Sequence, residues 1–101
     1  MGEESSRTYD VFLSYSSHDK TWADAACAVL ERQRVRCWIA PRDITHGEEW
    51  GAAIIKGING SRIMVLVFSR HANASGQVHR EVERAISRGD WRQLEFPGDD
   101  N

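Results

Sequence analysis

The chain has 101 residues, room for one domain, and a 41% hydrophobic content sufficient for a core of modest burial. Thirteen Lys and Arg against fifteen Asp and Glu leave a formal charge of −2, which gives no support for a general nucleic-acid grip, since that needs a concentrated basic face. No apolar run reaches the length of a membrane span, and the acidic N-terminus MGEESSRT is unlike a signal peptide, so a cytoplasmic protein without membrane attachment is expected.

Residues 1–7 are polar and expected to be disordered. Val11 to Tyr15 is a short apolar and aromatic run that predicts a buried strand. Thr21 to Gln33 follows at helical spacing, with Trp22, Ala26, Val29 and Leu30 on one stripe and Asp19 placed to cap it. Val35 to Ala40 predicts a second strand, stopped by Pro41. Thr45 and Glu48 have the spacing of a capping box, so a helix is expected over 47–58 with Trp50, Ile54 and Ile58 inward. Ile63 to Phe68 is uninterrupted apolar sequence, the mark of a central parallel strand covered on both faces. Ser75 to Ser87 predicts a helix with Val78, Val82, Ala85 and Ile86 inward. The tail, residues 90–101, alternates only weakly; an edge strand, a disordered end and a shortened domain all remain open for it.

Strands alternating with helices argue for βαβ units on a parallel sheet, with ligands at the carboxyl ends of the strands. Those ends carry Ser14-Tyr15-Ser16-Ser17, Pro41-Arg42-Asp43 and Ser69-Arg70-His71, so the polar residues gather on one rim. The serine-rich turn suits a phosphate or ribose, or simply caps a helix; it has no glycine for a phosphate loop. The Pro41–Glu49 loop is bracketed by Trp38 and Trp50, each either a stacking face or core. Glu81 and Glu83 are separated by one residue, and each helical step turns by about 100°, so their carboxylates point in different directions. They do not form a carboxylate pair, and either could be a surface ion pair with Arg80, Arg84 or Arg88. Glu81 shares a face with Gln77. His18, His46, His71 and His79 are scattered, without metal-ligand spacing. Cys27 and Cys37 lack the spacing of a metal site or a redox pair and are expected as reduced, partly buried thiols.

Three stretches together resemble a TIR (Toll/interleukin-1 receptor) domain of the stand-alone bacterial type, across roughly residues 8–89. YDVFLSYSSHDK resembles the family's first box and RCWIAPRDITHGEEW its second, with the BB loop. SGQVHREVERA resembles the segment S-x-W-x-x-x-E that carries the catalytic glutamate. The resemblance implies a flavodoxin-like three-layer sandwich on a parallel sheet of four to five strands, the last not recognisable in the sequence. It implies that Glu81 is the catalytic glutamate of an NAD+ nucleosidase, with ADP-ribosyl cyclase activity as a variant, in bacterial immunity, antiphage defence or cell death. NAD+ would be the substrate, and no cofactor or metal is implied. Ser14, Tyr15, Ser16, Trp38, Arg42 and Ser75 are the substrate-binding residues so implied. Pro41, Arg42, Asp43, Ile44 and Gly47 would form a BB-loop interface for self-association or for other TIR domains. Gln77 stands where the family's motif has tryptophan, which removes an aromatic packing partner. The alternative is a non-enzymatic TIR–TIR adaptor in signal transduction.

Overall fold

The computed structural model describes residues 8–88 and 92–97, and the expected N-terminal tail, residues 1–7, lies outside them. Four strands form one parallel sheet in the order β2-β1-β3-β4: β1 is Val11–Ser14, β2 Cys37–Trp38, β3 Ile63–Phe68 and β4 Arg92–Pro97. Helices α1 (Lys20–Arg32), α2 (Trp50–Asn59) and α4 (Gly76–Arg88) connect them. A 3-10 turn at Ser17–Asp19 and a one-turn α3 at Arg70–Asn73 lie on the connections.

Side chains alternate across the pleat, and the alternation sorts the core into two halves. Val11, Leu13, Cys37, Ile39, Val65 and Val67 pack on one face with Ala23, Ala26 and Cys27 of α1. Phe12, Trp38 and Met64 pack on the other with Ala53, Ile54 and Ile58 of α2 and Ala85 of α4. The result is the expected three-layer α/β sandwich. From β1 the chain crosses to β2 on one side, then returns to β3 on the other. The order therefore reverses at the carboxyl ends of β1 and β3, where α/β sheets leave a crevice.

The structure corrects several local expectations. Helix α1 lies on the sheet through its small residues Ala23, Ala26 and Cys27, so the bulky Trp22 and Val29 flank the contact and stay exposed. Asp19 occupies the N-cap position of α1 without capping it; its carboxylate accepts a bond from Ser69 Oγ instead. Thr45 N does donate to Glu48 Oε1 at 2.9 Å, the second half of a capping box, but the bond closes a turn. Gly47 interrupts there at φ +85°, and the helix starts only at Trp50, capped by Glu49 whose side chain accepts from Ala52 N. Trp50, expected inward, is exposed on that first turn, as is Ile86 on α4. After Arg88 the backbone of Arg92–Pro97 pairs in parallel with β3 over six positions. This is the edge strand among the three possibilities left open for the tail, and a proline is tolerated at its end.

Candidate functional site

Ser14 ends β1 on the same side as Phe12, the side on which α4 lies. Ser75 starts α4 with its Oγ accepting from Val78 N at 3.2 Å, which fixes the helix so that Glu81 passes over the strand end. Ser14 Oγ donates to Glu81 Oε1 at 2.7 Å, and Gln77 Nε2, one turn earlier on α4, donates to Oε2 at 2.8 Å. Arg80 in turn donates to Gln77 Oε1 at 3.3 Å, which orients the amide. The surface ion pair weighed for Glu81 is thus replaced by two neutral donors, one on each oxygen. Glu81 is only 6% exposed and Ser14 is fully buried. Burial pushes the Glu81 carboxyl above its ordinary range, more than the bonds from Gln77 and Ser14 and the charge of Arg80 lower it. At the position of the family's tryptophan, Gln77 gives a hydrogen bond where the sequence suggested a lost packing partner.

Beside Glu81 opens a cavity of about 790 Å³. Its wall takes Tyr15, Ser16 and Ser17 from the end of β1, Trp38, Ala40 and Pro41 from the end of β2, and Arg70, His71 and Ser75 from the segment after β3. Of the rim inferred from the strand order, Tyr15, Ser16, Ser17, Pro41, Arg70 and His71 line this cavity, while Ser14, Arg42, Asp43 and Ser69 do not. Trp38 is buried and stacks on Phe12 with ring centroids 5.0 Å apart and planes 8° apart. Its indole lies against α2 at Gly57, where a Cβ would come within 2.7 Å of Cδ2 and Cε2; only glycine lets helix and ring approach so closely. Trp50, 52% exposed, stands at the same cavity. Tyr15 donates its hydroxyl proton to Ala40 O, tying the ends of β1 and β2 together, and burial raises its phenol above the ordinary value. Ser16 Oγ accepts from His18 N and caps the 3-10 turn.

Two of the histidines that the sequence scatters meet here: His18 and His71 stack with centroids 4.7 Å apart. Nothing in their spacing foretold the pairing, because β1 and β3 are joined only through the sheet. Lys20 and Arg70 line the same cavity and set positive charge against the Glu81 carboxylate.

Arg42 is not brought to this cavity. Its guanidinium turns to α1, where it bonds Glu31 at 3.0 Å and 2.9 Å, Asp43 at 2.9 Å and the carbonyl of Cys37 at 2.9 Å. Glu31 first and Asp43 second hold it firmly protonated. Asp43 accepts from Ile39 N at 2.9 Å and donates its own N–H to Ile39 O at 3.0 Å, and Ile44 packs on the Phe12 and Trp38 side of the core. Of Pro41, Arg42, Asp43, Ile44 and Gly47, only Pro41 lines the cavity. Ser14 also has no surface there; its hydroxyl is taken up by Glu81. Cys27 and Cys37 are free and buried, and burial raises both thiols, Cys37 to about 12, so neither is an activated nucleophile.

The model of a family described as the TIR domain matches residues 11–94. Among solved structures, the TIR domain of the Toll-related receptor TRR-2 from Hydra magnipapillata superposes with a TM-score of 0.76 at 23% identity over 89% of this chain and 69% of its own. The TIR domains of the activated Roq1 resistosome, which recognises the pathogen effector XopQ, give 0.76 at 24% identity over 89% of this chain and 56% of theirs. A metazoan TIR-STING receptor from C. gigas gives 0.74 at 23% identity over 88% of this chain and 31% of its own. The chain thus spans from about a third to about two thirds of these structures, and at such identities the likeness is one of fold. No curated protein sequence matches it at a significant level.

Proposed function

The chain belongs to the TIR domain family, and from that premise we propose that it is an NAD+ nucleosidase that cleaves the bond between nicotinamide and ribose. The observation that carries the proposal is the buried Glu81 carboxylate, held on both oxygens by neutral donors at the wall of a nucleotide-sized cavity. A carboxylate so placed has its energy set chiefly by burial and by two hydrogen bonds from neutral donors, with no ion pair to either oxygen and the Arg80 charge a smaller influence. It is available to a positive charge that develops only as the reaction proceeds.

Nicotinamide leaves as a neutral base, taking the electron pair of the C1′–N bond, and needs no general acid. The ribosyl centre becomes cationic, and the ionised Glu81 stabilises it and accepts a hydrogen bond from a ribose hydroxyl. Water then adds at C1′ and loses a proton, giving ADP-ribose. The exposed Trp50 offers a face to a ring, the buried Trp38 backs the wall, and Lys20 and Arg70 offer charge to the diphosphate. The site works in a self-associated form, with the Pro41–Gly47 loop as contact surface, in immune or cell-death signalling.

The test is chromatography of NAD+ incubated with the concentrated protein. Glu81→Ala is expected to lower nicotinamide release by about a hundredfold or more, and the exposed Glu83→Ala to leave it unchanged. An unaltered rate in Glu81→Ala overturns the assignment. Self-association without any NAD+ cleavage by the wild type would instead favour a signalling adaptor.

A further inference from the structure

On the face of the sheet opposite Glu81, three groups of metal-ligating chemistry meet, two from one helix face and one from a strand. Cys27 and Glu31 stand four residues apart on α1 and therefore share a helix face. Cys37 begins β2. The two sulfurs and a Glu31 carboxylate oxygen all lie within 4.8 Å of one another. No spacing motif announces the cluster, because helix-to-sheet packing assembles it: Cys27 and Cys37 belong to the same half of the core.

The cluster already holds a cation. The Arg42 guanidinium reaches Cys27 Sγ at 3.6 Å, both Glu31 oxygens, and the carbonyl of Cys37. A second cavity, of about 360 Å³, opens beside it and is lined by Cys27, Glu31 and Arg42, so the cluster is approached from solvent on its α1 side, with Cys37 buried behind. Two sulfurs with one carboxylate form a soft donor set, which selects zinc, cadmium or copper(I) over calcium or magnesium.

We propose that Cys27, Cys37 and Glu31 form a binding site for one thiophilic metal ion, which enters by displacing the Arg42 guanidinium from Glu31. The two thiols give up their protons to solvent as the metal–sulfur bonds form, and the open cavity leaves room for water as a further ligand. No change of oxidation state is involved. Displaced, Arg42 keeps only its neighbour Asp43 as a carboxylate partner, so occupancy of the site is read out at the start of the Pro41–Gly47 loop. The site is independent of the NAD+ proposal, because none of its three ligands lines the Glu81 cavity.

The experiment is titration of the full, reduced chain with cadmium chloride, followed by thiolate-to-metal charge-transfer absorption, and with zinc chloride by calorimetry. One equivalent is expected to bind with the intensity of two thiolates. Cys27→Ser and Cys37→Ser should each abolish the two-thiolate band. Glu31→Gln changes an exposed side chain and spares the core; it should weaken binding by at least about tenfold. Arg42→Ala should tighten binding by a similar factor, since it removes the competing cation. Absence of the band in the folded wild type overturns the proposal, as does stoichiometric binding that survives in Glu31→Gln and both serine variants. Unchanged or weaker binding in Arg42→Ala overturns the displacement.

Discussion

The Glu81 pocket and the Pro41–Gly47 loop are built from the same kinds of side chain and treat charge in opposite ways. In the loop and just after it the charges are answered within the fold: Arg42 by Glu31 and Asp43, Asp43 additionally by the Ile39 N–H, and the following Glu48 by Lys56 and the Thr45 N–H. In the pocket a carboxylate is buried with only neutral donors, at a cost the fold does not recover. A loop crowded with charged residues can therefore be architecture, while one buried glutamate on a helix carries an uncompensated cost, and it is on that cost that the proposed chemistry rests.

The largest expected effect tests that contrast directly. Glu81→Gln keeps the shape and removes the charge, so it should lower NAD+ cleavage by about a hundredfold or more and leave the folded state intact. The pH dependence has a defined sign. Burial raises the folded carboxyl above the 4.5 of the free group, so the native state binds this proton more tightly than the unfolded chain. Stability from this group is thus lost as pH rises from 4.5 through the folded value, and above it the full cost of the buried charge is present. Activity runs the other way, because only the ionised form stabilises a cation; the rate should fall on acidification at a pH above 4.5. Thermal melts at neutral pH should place Glu81→Gln at or above the wild type, the two converging in acid. A variant that unfolds at neutral pH would make Glu81 an architectural residue like those of the loop.

How much of this was legible beforehand depends on which interactions are local. The strand at Ile63–Phe68, the helix around Glu81 and the polar rim at the strand ends follow from periodicity, and Gln77 above Glu81 follows from helical spacing. The partners joined through the sheet do not: Ser14 with Glu81, 67 residues apart, and Ser69 with Asp19, 50 apart, have no signal in spacing. The same holds for the His18–His71 stack and for the approach of Cys37 to Cys27 and Glu31. The tail was opaque for another reason. Parallel pairing of Arg92–Pro97 is made by its backbone against β3, which asks little of the side-chain pattern at an edge. Helix α1 misled because alanines, which carry little hydropathy, make the closest contact, while Trp22 and Val29 carry the apolar signal and stay outside.

A medium effect sharpens the loop's half of the comparison. Asp43→Ala removes the acceptor for Ile39 N and one partner of Arg42, and should lower stability by about 1–2 kcal/mol by denaturant titration. Because no Asp43 atom lines the Glu81 cavity, its loss of activity should depend on concentration and be recovered as the protein is concentrated. A deficit that persists at every concentration would place Asp43 in the chemistry and erase the division between loop and pocket.

The smallest effect isolates the loop's backbone. Gly47 sits at φ +85°, and no atom lies within 4 Å of where a Cβ would stand, so Gly47→Ala meets no steric obstacle and acts through the left-handed conformation alone. That conformation costs a residue with a Cβ about 1–2 kcal/mol, part of which is returned because alanine also restricts the unfolded chain. A net loss of about 1 kcal/mol, seen as a lower denaturant midpoint at unchanged slope, is therefore expected, with NAD+ cleavage at saturating protein concentration as in the wild type. The turn that Gly47 makes is what carries the chain from the paired charges at Arg42 and Asp43 to the cap at Glu49. If relaxing it alone abolished cleavage in a protein that still folds and assembles, the loop's conformation would be a working part of the Glu81 site, and the two regions would have to be treated as one.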